Sequence, residues 1–210
     1  MNPTYDEILA ANALRGNEIK KTPLIHSSIF SELTGSDVYL KAEFRQKTGS
    51  FKIRGAYFKI KSLSDEEKKY GVVAASAGNH AQGVAFASSL EKIPCTIVMP
   101  KNASPAKVAA TRGYGAKVIL EGINYDESSS KAKEIAKETG ATMIHAFDDP
   151  MVIAAQGVIG LEILEDLADV DEVYLPIGGG GLAAGVLIAI KEKNPQIKNL
   201  GVQSKSFPSM

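Results

Sequence analysis

The run Thr48-Gly49-Ser50-Phe51-Lys52-Ile53-Arg54-Gly55-Ala56 joins a glycine turn to a lysine at an expected helix start, with an aromatic residue just before it. Between Lys41 and Lys61 seven basic residues face one acid, Glu43. Nearby cations disfavour the ammonium form of a lysine and leave more neutral amine. Neutral amine is the species that forms a Schiff base with a carbonyl. A solvated basic helix face would account for the same residues. The fragment Arg54-Gly55-Ala56-Tyr57-Phe58 faintly matches an RNA-recognition strand, but the segment reads as helix and the rest of that signature is missing.

A second candidate is Ser76-Ala77-Gly78-Asn79-His80, between the apolar run VVAA and the helical pattern HAQGVAFASSL. Small residues let the backbone approach a ligand, and a helix start offers free N–H groups to a carboxylate. Asn79 adds an amide donor at the same edge. A plain strand-to-helix turn with asparagine as its cap is the simpler alternative. His80 taken alone reads as a structural residue and not as a proton-transfer group.

The third candidate is Gly178-Gly179-Gly180-Gly181-Leu182, between EVYLPI and LAAGVLIAIKEK. Four glycines in a row cost backbone entropy on folding, which a simple turn does not justify. A glycine loop opening a helix can cradle a phosphate through its N–H groups and the helix dipole. No Lys-Ser/Thr follows, so the loop is not a nucleoside-triphosphate P-loop. Gly179, Gly181 and Ala184 fit a loose dinucleotide pattern, but Gln203-Ser204-Lys205 stands where its acidic residue belongs. A carbonyl-capturing lysine, an amide-bearing turn and a phosphate loop, all expected at strand-to-helix junctions of one sheet, are together what pyridoxal 5′-phosphate (PLP) requires.

These residues need a scaffold of alternating strands and helices. Short apolar runs at 38–43, 71–75, 95–99, 117–120, 141–145, 172–177 and 200–203 read as strands. Helical patterns at 5–14, 51–62, 80–91, 104–112, 125–139, 152–167 and 182–193 lie between or before them. The alternation predicts an α/β fold with parallel twisted sheets and flanking helices. VVAAS, CTIVM and VYLPI are apolar throughout, as expected of strands covered on both faces. Asp148-Asp149-Pro150 and Ser104-Pro105 read as helix starts, Gly113 and Gly140 as helix stops.

The 210 residues carry 24 basic and 24 acidic side chains, so the net charge is zero and general nucleic-acid or membrane-surface binding is not expected. A single cysteine, Cys95, excludes an intrachain disulfide and cysteine-pair zinc sites and fits a reducing compartment. The N-terminus lacks the pattern of a signal peptide, and no uninterrupted apolar stretch is long enough to span a membrane. The last expected strand has no following helix, which reads as a chain with material missing at its C-terminus.

The lysine motif, Ser76 to Gly83 and the tetraglycine loop resemble the fold-type II PLP-dependent enzymes, and within them the short catabolic threonine dehydratases (threonine ammonia-lyases). Gly157 to Asp166 and Asp148-Asp149-Pro150 share the likeness. The resemblance implies Lys52 as the catalytic residue, covalently joined to PLP, with Phe51 packed on the cofactor ring. It implies Asn79 on the ring hydroxyl, Gly178, Gly179, Gly180, Gly181 and Leu182 on the phosphate, and Ser76, Ala77, Gly78, Asn79 and His80 on the substrate carboxylate. No metal is implied. The implied organisation is a large PLP-binding domain from 1–52 and 146–210, incomplete at its C-terminus, and a small α/β domain from 53–145. The implied reaction is deamination of L-threonine to 2-oxobutanoate and ammonia, and of L-serine to pyruvate, by a cytoplasmic homo-oligomer (dimer or tetramer), with any nucleotide effector unassigned. Racemases of this fold carry a serine where this chain has Ala77, so elimination is favoured over racemisation. PLP binding without turnover and a serine racemase are the alternatives.

Overall fold

Within the computed structural model the described residues are 2–206, 208 and 209. Met1, Phe207 and Met210, assigned above to the large unit, lie outside them. In chain order the elements are α1 (Tyr5–Leu14), β1 (Leu24–His26), α2 (Ser28–Thr34), β2 (Tyr39–Lys41), a 3₁₀ turn (Glu43–Arg45), α3 (Lys52–Lys61), α4 (Asp65–Tyr70), β3 (Val72–Ala75), α5 (Asn79–Glu91), β4 (Cys95–Met99), α6 (Pro105–Gly113), β5 (Lys117–Leu120), α7 (Tyr125–Thr139), β6 (Thr142–Met143), α8 (Pro150–Asp166), β7 (Glu172–Pro176), α9 (Gly181–Lys193) and β8 (Lys198–Val202).

Strands β5-β4-β3-β6 form a parallel sheet in that order. Side chains along its strands alternate between the two faces, as strand geometry requires. Val72 and Ala74 of β3 join Ile97 and Met99 of β4 in a core with α3 and α5. Val73, Ala75 and Val98 face Ala132 of α7 on the other side. The expectation of two covered faces therefore holds for β3 and β4, whose residues are almost all buried.

Several expectations are corrected. The three candidate segments do not border one sheet: β3 belongs to the four-stranded sheet, whereas β7 pairs only with β8, in parallel. β7 is not covered on both faces, because Tyr174 and Pro176 alternate outward while Val173 and Leu175 pack on α8 and α9. The pair β1–β2 is antiparallel, and β1, α2 and α4 went unforeseen because they are too short to show a period. α6 ends at Gly113 as expected, but Gly113 is its last helical residue; the cap is Tyr114 and the positive φ falls at Gly115. Gly140, by contrast, is a left-handed cap of α7.

Helices α8 and α9 cross at van der Waals range because glycines meet there. A β-carbon on Gly185 would stand 2.2 Å from the Ile153 carbonyl oxygen, and one on Gly157 would stand 2.8 Å from that of Gly185. Asp149 starts α8 by accepting from the N–H groups of Met151 and Val152, with Pro150 at the first turn. Among the described residues no helix is long and apolar enough to cross a membrane.

Candidate active site

Lys52 stands at the first residue of α3, after a turn that Gly49 enters with φ +73°. The helix is fixed from both sides. A β-carbon on Gly83 of α5 would lie 3.2 Å from the Lys52 carbonyl carbon, and one on Gly55 would strike Val152 and Gln156 of α8. The Lys52 ammonium donates to the carbonyl of Ala146 at 2.7 Å and sits 5.3 Å from the centre of the Phe51 ring. Phe51 and Leu182 both pack against the cluster formed by α8, β7 and α9.

Burial pushes the Lys52 pKa below its ordinary value of 10.5. The direction agrees with the sequence reading but the cause does not: desolvation acts, and the neighbouring cations do not. Lys41, Lys47, Arg54, Lys59 and Lys61 among those cations are matched by acids. Arg54 is 2% exposed, and Glu162 is 1% exposed. Arg54 makes two 2.8 Å bonds to Glu162 and two 2.8 Å bonds to Glu43. Lys41 reaches Glu162 at 2.8 Å, and Arg15 reaches it at 3.1 Å. Burial alone would lower the Arg54 pKa, but the two carboxylates outweigh it and raise it.

The turn after β3 has Gly78 as the N-cap of α5, with no side-chain cap. Asparagine is thus not the cap: Asn79 is the first helical residue and is exposed. Ser76 uses its hydroxyl to accept from the Gly78 N–H at 3.1 Å. Ala77 packs against the sheet core. His80 is 4% exposed and its Nε2 donates to the Ile144 carbonyl at 3.0 Å. Burial, with smaller contributions from Lys52 and His145, lowers its pKa to about 4. The ring is therefore neutral near pH 7, and Nδ1 is a buried acceptor without a partner.

The tetraglycine loop opens α9, whose N-cap Gly180 is left-handed at φ +81° and has no side-chain cap. A β-carbon on Gly178 would meet nothing within 4 Å. One on Gly179 would fall 2.3 Å from the Phe147 ring, and one on Gly181 would fall 2.6 Å from the Phe147 carbonyl oxygen.

The candidates are brought together by a segment that sequence reasoning missed. Ile144 accepts from His80, Ala146 accepts from Lys52, and Phe147 packs against Gly179 and Gly181. The only sequence signal was the run His145-Ala146-Phe147 after an expected strand, which carries no motif of its own.

These residues fit an aldehyde cofactor with an anionic tail. A partly buried amine held by one backbone carbonyl, the orphaned His80 Nδ1 and two helix starts without side-chain caps lie around one segment. The glycine loop is also open at Gly178, so its backbone is accessible. Comparison with known proteins agrees. A profile described as pyridoxal-phosphate dependent enzyme matches residues 16–210, and the chain belongs to that family. It is 56% identical over 207 residues to an L-threonine ammonia-lyase of Thermotoga maritima, covering 99% of this chain and 52% of that protein. It is 51% identical over 205 residues to the catabolic L-threonine dehydratase TdcB of Escherichia coli K12, covering 98% of this chain and 62% of that protein. The chain thus spans little more than half the length of these relatives. Among solved structures, maize serine racemase superposes with a TM-score of 0.95 at 38% identity, over 98% of this chain and 62% of that one. Processed threonine deaminase isoform 2 of Solanum lycopersicum gives 0.91 at 39%, over 96% and 58%.

Proposed function

We propose that the chain is the catalytic part of a PLP-dependent threonine ammonia-lyase, converting L-threonine to 2-oxobutanoate and ammonia, and L-serine to pyruvate. The observation that carries the proposal is the desolvated Lys52 amine, held by Ala146 beside a glycine loop that opens a helix. In this reading Lys52 and Phe51 hold the cofactor, with Asn79 on its ring and Gly178 to Leu182 on its phosphate. When bound, PLP supplies an electron sink for charge developing at the substrate α-carbon. Lys52 Nζ takes the α-proton as general base, and its desolvation favours the neutral form that can do so. The helix starts at Asn79 and Gly181 orient anions through backbone N–H groups. Ser76 to His80 receive the substrate carboxylate.

Relatives named for threonine at 51–56% identity favour the lyase over the racemase, which is represented at 38%. Ala77, which has no exchangeable proton, argues the same way. The division into a large unit (1–52 and 146–210) and a small one (53–145) is part of the proposal, supported by the separate sheets. So is a homo-oligomer, supported by the exposed apolar Ile29, Leu33 and Phe44. A cytoplasmic location is part of the proposal too, supported by the single cysteine, Cys95. The test is release of 2-oxo acid from L-threonine by the purified protein. Turnover abolished by Lys52→Ala is expected; turnover unchanged by it overturns the proposal.

A further inference from the structure

Four consecutive glycines invite the view that each is glycine for the sake of the bound anion. The structure divides them differently. Gly178 is unconstrained by neighbours and Gly180 needs its left-handed φ of +81°, whereas the nearest obstacle to a side chain at Gly179 and at Gly181 is Phe147. Phe147 is itself held. Its ring meets His145 edge-on at 4.9 Å, and its N–H and that of Asp148 both donate to His145 Nδ1, at 3.4 and 2.9 Å. One residue upstream, the Ala146 carbonyl takes the Lys52 ammonium. Two residues further, the Ile144 carbonyl takes His80.

We infer that Phe147 is a positioning residue for the phosphate loop: its ring seats Gly179 and its backbone closes on Gly181, while the adjacent carbonyl fixes Lys52, so segment 144–147 sets the relation between the two anchors of the cofactor. A glycine run without such a seat samples many backbone conformations, and ordering them would be charged against binding. Phe147 removes that freedom before the ligand arrives. The inference rests on the PLP reading of the site and deepens it.

The two anchors can be separated with two probes. PLP uses the lysine and the phosphate loop, whereas pyridoxal, which lacks the phosphate, uses the lysine alone. Affinities for both are measured by near-UV absorbance titration of the wild-type protein, Phe147→Ala and Phe147→Leu. Phe147→Ala is expected to weaken PLP about tenfold, the scale of returning freedom to one glycine, Gly179, and to leave pyridoxal within about twofold. Phe147→Leu, which still fills the seat, is expected to recover most of the PLP affinity and keeps the test available if the alanine variant fails to fold. Equal weakening of both probes, or no change in either, overturns the inference. A wild-type protein that binds neither probe overturns the PLP reading beneath it.

Discussion

Glu162→Ala is the perturbation with the most sharply defined consequence. Glu162 is 1% exposed and accepts from Arg54 twice at 2.8 Å, from Lys41 at 2.8 Å and from Arg15 at 3.1 Å. Truncation leaves Arg54, 2% exposed, with Glu43 and the Lys20 carbonyl, and leaves Lys41 with the Thr22 carbonyl at 2.5 Å and Asp166 at 3.7 Å. Removing one partner of a buried ion pair typically costs about 3–5 kcal/mol, because the remaining charge stays desolvated. For a chain of this size each kcal/mol lowers Tm by roughly 2–4 °C, so a fall of roughly 6–20 °C is expected. The contrast is Glu165→Ala, which breaks only the Lys21 pair at 3.0 Å, with Glu165 54% exposed. An exposed pair of that kind is worth at most about 1 kcal/mol. Urea or thermal unfolding followed by circular dichroism measures both. A Glu162→Ala loss no larger than that of Glu165→Ala would refute the claim that this carboxylate organises α1, β2 and α3.

Three other outcomes are expected. His80 has a folded pKa of about 4 against 6.5, so its contribution is fully present above pH 6.5 and lost as pH falls through about 4. The loss is about 3 kcal/mol, and His80→Gln should flatten that part of the Tm-versus-pH curve; an unaltered curve contradicts it. Gly185→Ala places a β-carbon 2.2 Å from the Ile153 carbonyl oxygen and should cost about 2 kcal/mol or more by forcing α8 and α9 apart, which denaturant titration reads directly. Competitive acylation with mass spectrometry should find Lys52 half-reactive at a pH below 10.5, since desolvation disfavours its ammonium form; half-reaction at or above 10.5 would contradict that.

Local signals carried the parallel strands β3 and β4, the long helices, and the lysine and glycine motifs, because each is written in contiguous residues. Asp149-Pro150 was legible as the start of α8 for the same reason. The partner of Arg54 was not: Glu162 lies 108 residues away, and nothing near Arg54 marks it. Reading seven local cations against one acid therefore gave the right direction for Lys52 with the wrong cause. Gly179 posed a similar problem. Its lack of a side chain was attributed to an anion, whereas the nearest obstacle is the Phe147 ring, about 30 residues earlier in the chain. β2 was legible within the run 38–43, but its antiparallel partner β1 was hidden by a length of three residues.

The most direct test of the account is chemical. The protein is incubated with PLP, reduced with borohydride, digested and mapped by mass spectrometry. The account predicts a pyridoxyl adduct on the peptide carrying Lys52 and on no other lysine in comparable yield. An unmodified Lys52, with the label absent or spread over exposed lysines, would contradict it.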